Sequence, residues 1–249
     1  MKFTVLTLFP DLVEAYFGNS IAAKAVERKL IDYRVVDIRA FAEDRHRTCD
    51  DAPYGGGAGM VMKPDVVARA IESVPRANAL TVYPTPSGYP FNRERARRLA
   101  GHSELVVICG RYEGLDQRVI DLYVDLELSI GDYVISSGEV AAIVIIDAVF
   151  RLIDGVISSA SLDEESFEGQ LLEYPQYTRP EEFAGRRVPE VLLSGHHERI
   201  RAWRRAESIK KTAAVRPDLL ERADLSNEER IMLRQGGAEG ESHGFGKGV

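Results

Sequence analysis

The sequence predicts an α/β domain with a mainly parallel sheet, followed by a linker and a small all-α C-terminal domain. Three observations lead to this prediction. Over the first 154 residues, short apolar runs alternate with amphipathic stretches, which is typical of alternating strands and helices. Residues 155–180 show no sustained helical periodicity and carry clusters of Ser, Asp and Glu. From Pro189 onward, the spacing of apolar residues is helical only.

Each apolar run of the first region is predicted as a strand, and each amphipathic stretch as a helix. Pro10-Asp11 is expected to end the first apolar run. Because ligands bind at the carboxyl ends of parallel strands, the loops after these strands are where a site is expected. The predicted strands are residues 3–8, 33–38, 79–83, 104–109 and 124–129. The predicted helices are residues 21–29, 64–72, 92–99, 115–122 and 138–153.

The C-terminal part contains helix start and stop signals at Ser194, at Pro217 and at Ser226, which stands shortly before Glu229. We therefore divide the chain into an α/β domain at 1–154, a linker at 155–180 and a helical domain at 181–235. Residues 236–249 contain six glycines and no apolar periodicity, so we expect a disordered tail there.

The composition, 45% hydrophobic and 29% charged, is that of a globular protein with a substantial core. The only cysteines are Cys49 and Cys109, which excludes a disulfide framework as the basis of the fold. The longest apolar stretch ends at Asp147 and is far shorter than the ~20 residues of a membrane helix. The N-terminal apolar run is too short for a signal peptide. We expect a soluble, cytoplasmic protein with no membrane partner.

The net charge of −7 argues, on average, against a nucleic-acid partner. However, residues 186–216 hold nine Lys and Arg against three acids, a local charge of +6 that leaves −13 on the rest. A helix over 198–211 can direct Ile200, Trp203 and Ile209 towards a core while its basic side chains point outward. This face is either a solvated charged surface or a surface that contacts phosphates. Its basic residues are Arg201, Arg204, Arg205 and Lys211.

Several common catalytic motifs are absent. The glycine-rich segment 54–59 follows loop sequence rather than a strand and lacks a subsequent Gly-Lys-Ser/Thr, so we interpret it as a mobile cover rather than a nucleotide loop. His197-Glu198 is followed by Arg201 where a zinc helix needs its second histidine. No Gly-x-Ser-x-Gly elbow exists for a serine hydrolase. The acidic glycine loop of Rossmann-type methyltransferases is missing after the first strand.

Glycines mark three loops that follow successive predicted strands. These loops are residues 84–88, 110–114 and 130–139, and each precedes a predicted helix. One such loop alone is explained as a tight strand-to-helix turn, in which glycine is routine. Three in succession favour a ligand that the backbone approaches closely.

Together with these loops, several long motifs resemble the bacterial tRNA (guanine-N1)-methyltransferases of the trefoil-knot (SPOUT-type) superfamily. The resemblance covers nearly the whole chain, to about residue 235. The motifs are Asp44-Arg45-His46-Arg47-Thr48 leading to Pro53-Tyr54-Gly55-Gly56-Gly57, Cys109-Gly110-Arg111-Tyr112-Glu113-Gly114, Ser129-Ile130-Gly131-Asp132-Tyr133-Val134, Tyr177-Thr178-Arg179-Pro180 and Leu193-Ser194-Gly195-His196.

The resemblance implies three properties that the residue patterns do not predict. The α/β domain is expected to carry a deep trefoil knot formed by the three loops. S-adenosylmethionine is expected to bind there in a bent shape, held largely by backbone groups. The protein is expected to be a homodimer, in which the partner's linker and helical domain complete each active site at the subunit interface.

The implied activity is methyl transfer from S-adenosylmethionine to N1 of the guanosine immediately 3′ of the anticodon, position 37 of tRNA. Two alternatives stay open: a related knotted methyltransferase that acts on another RNA, and an RNA-binding module without activity. Family members are thought to need Mg²⁺ for turnover, but no carboxylate cluster in the sequence identifies metal ligands. The tRNA isoacceptors are not determined by the sequence.

Guanine N1 bears a proton, so its methylation needs a general base and a cation that stabilises negative charge on O6. In the family, the base is an aspartate just before a Ser-Phe pair, and Ser166-Phe167 places Glu165 at that position. Asp163 is the alternative base, and a solvated acidic linker is the alternative interpretation of both carboxylates. The resemblance gives the cationic role to Arg151, which would otherwise be an ordinary helix-end charge.

The resemblance also implies a set of binding residues, with two departures. Ser137 stands where the family usually has glycine, and Ala141 where it usually has proline; a positive φ at Ser137 would be costly. The expected cofactor residues are Tyr83, Thr85, Gly110, Tyr112, Glu113, Ile130, Gly131, Asp132, Tyr133, Val134, Ile135, Gly138 and Ala141. The motifs and the basic helix give the expected tRNA-binding residues Asp44, His46, Arg47, Asp50, Gly59, Ser194, His196, Arg201, Arg204 and Arg205.

Overall fold

A computed structural model describes residues 1–158 and 165–236 of the chain. The chain forms two compact units, Met1–Ser159 and Ala160–Val249, and the division falls within the predicted linker. Of the expected tail, residues 237–249 lie outside the described residues.

Unit 1 is built around a parallel sheet, which confirms the prediction of an α/β domain with a mainly parallel sheet. Its strands are β1 (Lys2–Thr7), β2 (Asp32–Asp37), β3 (Asp50–Asp51), β4 (Val61–Met62), β5 (Ala79–Pro90), β6 (Glu104–Ile108) and β7 (Leu126–Ser129). Five of them form the sheet in the order β2-β1-β6-β5-β7, and every pair is parallel. The short strands β3 and β4 form a separate antiparallel pair.

The helices of unit 1 cover both faces of this sheet, which is why the central strands β1 and β6 are buried along almost their whole length. Alternate residues of β1 and β6 enter two different cores: Val5 and Leu105 lie in one, Leu6 and Val106 in the other. The first core is covered by α1, α2, α4 and α6, and the second by α3 and α5. These helices are α1 (Pro10–Phe17), α2 (Ser20–Glu27), α3 (Pro64–Glu72), α4 (Arg93–Ala100), α5 (Gln117–Tyr123) and α6 (Gly138–Phe150).

Helix α1 was not predicted, because Pro10-Asp11 was interpreted only as the end of an apolar run. Proline at the first helical position loses no hydrogen bond, and Asp11 in the first turn is favourable to the helix dipole, so the same pair starts a helix. Val13 and Phe17 of α1 are buried, and the Phe17 ring stacks on Tyr33 with centroids 4.2 Å apart.

Strand β5 continues beyond the predicted end at residue 83. The expected loop 84–88 is an irregularity inside the β5–β7 pair, since the register shifts between Pro84 and Tyr89 and pairing resumes at Tyr89. Gly88 makes this possible: a Cβ atom there would lie 2.4 Å from the Leu128 backbone nitrogen. The first of the three loops therefore stays against the sheet.

Unit 2 is mainly helical but also contains a short hairpin, so it is not built from helices alone. The hairpin pairs β8 (Glu182–Phe183) with β9 (Arg186–Arg187). The helices are α7 (Glu190–Leu193), α8 (His197–Val215), α9 (Pro217–Leu220) and α10 (Asn227–Gly236). A small core formed by Leu171, Ile209, Ala223 and Leu225 joins α8 to α9 and α10, which pack against it through Leu220 and Leu233.

Two of the predicted helix signals in unit 2 are confirmed. Pro217 is the first residue of α9, and Ser226 caps α10 in a reciprocal pair of hydrogen bonds with Glu229. Ser194 ends α7 rather than starting the next helix. In the part of the chain that the structure describes, no helix combines the length and apolar character needed to cross a membrane.

Candidate functional site

A cavity of about 760 Å³ opens at the carboxyl ends of β6 and β7, beside the irregular middle part of β5. All three glycine loops contribute to its wall, and every expected cofactor residue lines it except Asp132, which is exposed. The predicted residues that line the cavity are Tyr83, Thr85, Gly110, Tyr112, Glu113, Ile130, Gly131, Tyr133, Val134, Ile135, Gly138 and Ala141.

Two glycines allow the loops after β6 and β7 to touch backbone to backbone. The Gly138 N–H donates to the Gly110 carbonyl at 3.2 Å. A Cβ atom on Gly138 would lie 2.5 Å from that carbonyl oxygen, so no other residue fits without movement. Much of the cavity wall is consequently main chain, which can bind a ligand through N–H and C=O groups.

Tyr83 lies at the base of the cavity and is almost fully buried. Its hydroxyl group occupies the space beside Gly110 and Gly114, where a Cβ atom would come within 2.8 Å and 2.7 Å of the oxygen. Burial raises the pKa of the Tyr83 phenol above its ordinary value. The side chain is therefore neutral at physiological pH and supplies an apolar ring with a polar tip.

A buried carboxylate, that of Glu139, binds groups from the loops that line the cavity. Glu139 is completely buried and accepts hydrogen bonds from Thr7 Oγ1 at 2.7 Å and Ser137 Oγ at 2.6 Å. Arg111 Nε lies 3.4 Å from Glu139 Oε2, which is an ion pair without hydrogen-bond geometry. Neither Glu139 nor Arg111 was predicted as a site residue, although both belong to the loops that were.

Arg111 connects the second loop to the third. Its guanidinium group lies 4.1 Å above the centre of the Phe9 ring, and Nη1 donates to the Ser136 carbonyl at 2.5 Å. Phe9, Arg111 and Ser136 all line the cavity. The position of the third loop is therefore tied to β1 and β6 through one side chain.

Ser137, which stands where glycine is usual in the family that the motifs resemble, has a structural role in this chain. Its φ of −145° is ordinary extended backbone, so the cost of a positive φ does not arise. The serine hydroxyl adds a hydrogen bond to Glu139 that a glycine could not make. Ala141, the second departure, is buried and lines the cavity.

The glycine-rich segment is attached to the second cavity loop. The Glu113 N–H donates to the Met60 carbonyl at 2.9 Å, and the Met62 N–H donates to the Gly114 carbonyl at 3.0 Å. Gly59 is needed there, because its φ is +87° and a Cβ atom would lie 2.0 Å from the Glu113 carboxylate.

The expected tRNA-binding residues of unit 1 lie in and before this segment. Asp44 organises a turn by accepting from the His46 and Thr48 N–H groups at 2.9 and 2.8 Å. These hydrogen bonds, led by the one from Thr48, hold the pKa of the Asp44 carboxyl below its usual value. His46 and Arg47 are exposed, and Asp50 belongs to β3.

Arg151 lies at a different cavity of unit 1, with a volume of about 270 Å³. It is the C-terminal cap of α6, which ends at Phe150, three residues before the predicted helix end. Tyr16 and Asp147 line the same cavity, and the Tyr16 hydroxyl donates to Asp147 Oδ2 at 2.7 Å. Burial, reinforced by this carboxylate, raises the pKa of Tyr16. Arg151 is not among the residues that line the larger cavity.

Of the two candidate bases, Asp163 lies outside the described residues, and Glu165 belongs to unit 2. Glu165 is half-buried and precedes a compact turn. In this turn Ser166 Oγ accepts from the Glu173 N–H at 3.0 Å, and the Phe167 N–H donates to the Leu171 carbonyl at 2.7 Å.

The basic residues of α8 were expected to point to solvent, but two of them do not. Arg201 is exposed, but Arg204 is half-buried with its guanidinium group 4.7 Å from the centre of the Tyr174 ring. Arg205 is also half-buried and forms an ion pair with Glu229 at 2.8 Å. The expectation is wrong for Arg204 and Arg205 because groups distant in sequence bind their guanidinium groups.

Ser194 and His196 are exposed in the turn before α8. The His196 N–H donates to Ser194 Oγ at 3.2 Å. Within residues 1–158 and 165–236, no group of three or more His, Cys, Asp or Glu side chains is arranged to hold a metal ion.

Comparison with known proteins gives matches over both units. The family model described as tRNA (Guanine-1)-methyltransferase TrmD matches residues 1–222. The tRNA (guanine-N(1)-)-methyltransferase of Treponema denticola is 60% identical over 223 residues, covering 90% of this chain and 92% of the relative. The Borrelia hermsii protein of that name is 58% identical over 221 residues, covering 88% and 92%. The one from Treponema pallidum is 55% identical over 226 residues, covering 91% and 90%.

The buried ion pair of Glu139 and Arg111 gives a prediction about stability. Glu139→Gln should lower the free energy of unfolding by about 3 kcal/mol, because it leaves the Arg111 guanidinium and one hydroxyl without a buried carboxylate partner. Glu94→Gln is the matched control, since the Glu94–Arg98 pair is exposed and its loss should cost less than about 1 kcal/mol. Urea denaturation measures both values, and equal losses would contradict the role given to Glu139.

Proposed function

Because the chain belongs to the tRNA (guanine-1)-methyltransferase family, we propose that it transfers a methyl group from S-adenosylmethionine to N1 of guanosine 37 in tRNA. The observation that carries this proposal is the cavity formed by the three glycine loops, at the sheet edge where ligands of parallel α/β proteins bind. A tRNA substrate places this activity in the cytoplasm, which cell fractionation can test.

The cavity residues fit S-adenosylmethionine. The volume of about 760 Å³ lies in the range of small-molecule sites. Loop main chain at 110–114 and 130–138 offers polar groups, and the neutral Tyr83 ring offers an apolar surface. When bound, S-adenosylmethionine supplies a methyl group that its sulfonium already activates. The residues of this chain then bind the cofactor and hold it in one orientation.

We also propose that the three loops form a deep trefoil knot. The close approach of Gly138 to Gly110 and of Gly88 to Leu128 supports it, because chain segments that pass through one another's loops must nearly touch. An experimental chain trace in which the chain ends can be pulled straight would contradict the knot.

The proposed chemistry needs two charged side chains. Glu165 takes the N1 proton as general base, while Arg151 stabilises the negative charge that spreads onto O6. Glu165 carries one methylene more than the family's aspartate and directly precedes a turn in which Ser166 Oγ accepts from the Glu173 N–H. The target base is splayed out of the anticodon loop, since its Watson–Crick edge must reach these groups.

A homodimer would explain an exposed apolar stripe on unit 1. Val140 and Val144 of α6 are about half exposed, and helical spacing places Asp147 and Arg151 on the same face. Leu12 of α1 is exposed as well, and α1 packs against α6 through Tyr16. A dimer formed through this stripe brings Arg151 to the interface, where the partner's linker completes the site.

The primary test uses labelled S-adenosylmethionine and tRNA transcripts that carry G or A at position 37. We expect incorporation into the G transcript only, recovered as 1-methylguanosine. No incorporation into either transcript would leave an RNA-binding module without activity. Incorporation that does not depend on this guanine would instead favour another RNA target. Repeating the assay with EDTA determines whether turnover needs Mg²⁺.

The general base gives a second prediction. Glu165→Gln should lower the methylation rate by about 10²–10⁴-fold and leave tRNA affinity unchanged, because only the proton acceptor is lost. Glu165→Asp should retain activity, and Glu182→Gln serves as an exposed carboxylate control. Unchanged turnover in Glu165→Gln would move the role to Asp163, which Asp163→Asn would then test.

The basic helix α8 gives a third prediction. Arg201→Ala should reduce the slope of log affinity against log salt by about 0.7–0.9, because one phosphate contact is lost. Arg205→Ala should leave this slope unchanged and lower the melting temperature, since Arg205 binds Glu229. Filter binding over a salt series and thermal denaturation measure both. The same slope in Arg201→Ala as in the unchanged protein would make α8 a solvated surface.

The dimer interface gives a fourth prediction. Val144→Glu should produce monomers in sedimentation velocity and abolish methylation, because a charge would be buried in the apolar contact. Leu122→Glu is the matched control, as Leu122 is exposed on α5 outside the stripe. A Val144→Glu protein that remains dimeric and active would rule out this interface.

A further inference from the structure

Unit 2 contains a cavity of its own, with a volume of about 410 Å³. The segment 174–181 forms one wall, and α7 with the first turns of α8 forms the other. Apolar side chains of Leu192, Leu193 and Ile200 line the helical side. The roles given above to Glu165 and to the cavity of unit 1 do not use these residues.

Two tyrosines form the opposite wall and differ in how they are held. Tyr174 is buried and carries the Arg204 guanidinium group over its ring. Tyr177 is 48% exposed, with its ring centroid 6.2 Å from that of Trp203. Among the described residues Tyr177 has no hydrogen-bond partner. One ring is thus fixed in the wall, while the other offers an open face to a ligand.

A positively charged side chain lines the same cavity as this exposed ring. Arg179 lines the cavity, is exposed and makes no ion pair with any residue that the structure describes. The nearby Glu181 carboxylate is bound by Arg187 at 2.7 Å and does not neutralise Arg179. The cavity therefore combines an aromatic face, apolar walls and an available guanidinium group.

We propose that this cavity binds an unstacked nucleobase of the tRNA loop other than the target guanine, stacked on Tyr177, with Arg179 on an adjacent phosphate. Proteins read single-stranded RNA through aromatic stacking and arginine contacts to phosphate, which are the two groups present here. The proposal rests on the proposed function, because it takes tRNA as the substrate. It adds a second base site to the one that reacts.

Three variants test the stacking. Tyr177→Ala should weaken tRNA binding by about 5- to 100-fold, and Tyr177→Phe should bind as the unchanged protein does, because it keeps the ring. Phe183→Ala is the matched control, since Phe183 is an exposed aromatic residue of unit 2 outside the cavity lining. At saturating tRNA, Tyr177→Ala should retain its methylation rate, so that the loss appears in KM and not in kcat.

Abasic tRNAs identify the nucleotide. A series of transcripts, each lacking one base of the anticodon loop other than the target, should contain one that the unchanged protein binds as weakly as Tyr177→Ala binds intact tRNA. Combining that transcript with Tyr177→Ala should cause no further loss, since both changes remove the same contact. Arg179→Ala should reduce the salt slope by about 0.7–0.9.

Several results would overturn the proposal. One is full affinity of Tyr177→Ala for tRNA, and another is additivity of Tyr177→Ala with every abasic position. Weaker self-association of Tyr177→Ala in sedimentation without tRNA would make the cavity a contact between copies of the chain. If Tyr177→Ala loses its circular dichroism spectrum, Arg179→Ala and the abasic series with the unchanged protein decide instead. Absence of methylation by the unchanged protein would count against the proposed function alone, because binding is measured separately.

Discussion

The buried ion pair of Glu139 and Arg111 is the interaction on which the cavity of unit 1 depends. A carboxylate without solvent is tolerated only when charged and polar groups surround it, and here three distant segments supply them. Thr7 ends β1, Arg111 follows β6, and Ser137 precedes α6. Since one side chain needs all three, the loops cannot move independently. The shape of the cavity is therefore a consequence of satisfying one buried charge.

Local pattern predicted much of unit 1, because strands buried on both faces are recognisable as apolar runs. The prediction failed at a residue type that is typical of two different structures. Pro10 both interrupts an apolar run and starts α1, and only the packing of Phe17 on Tyr33 decides between them. The extension of β5 could not be predicted from the local sequence either, since it depends on the close approach of Gly88 to the backbone of Leu128 in the neighbouring strand.

The same distinction separates the predicted and unpredicted parts of the site. Glycines after successive strands predicted where the loops converge, because backbone that approaches a ligand or another loop needs them. Glu139 gave no such signal, as a carboxylate in the first turn of a helix is ordinarily exposed. Its burial is explained by Thr7, 132 residues away in the chain, and the pairing of Arg205 by Glu229, 24 residues away. Charge alone does not distinguish a structural ion pair from a surface available to a ligand.

Pairing within the protein reduces the number of cations in the basic segment 186–216 that can contact RNA phosphates. Four of its nine cations are paired with carboxylates, Lys211 donates to the Glu173 carbonyl, and Arg204 stacks on Tyr174. The side chains of the remaining three, Arg186, Arg199 and Arg201, make no hydrogen bond or ion pair with the described residues. Three phosphate contacts correspond to a salt slope of only about −2 to −3, which is modest for RNA binding. For a chain of net charge −7 to bind tRNA tightly, base contacts must add to the few phosphate contacts of this segment, and base contacts, unlike phosphate contacts, discriminate among RNAs.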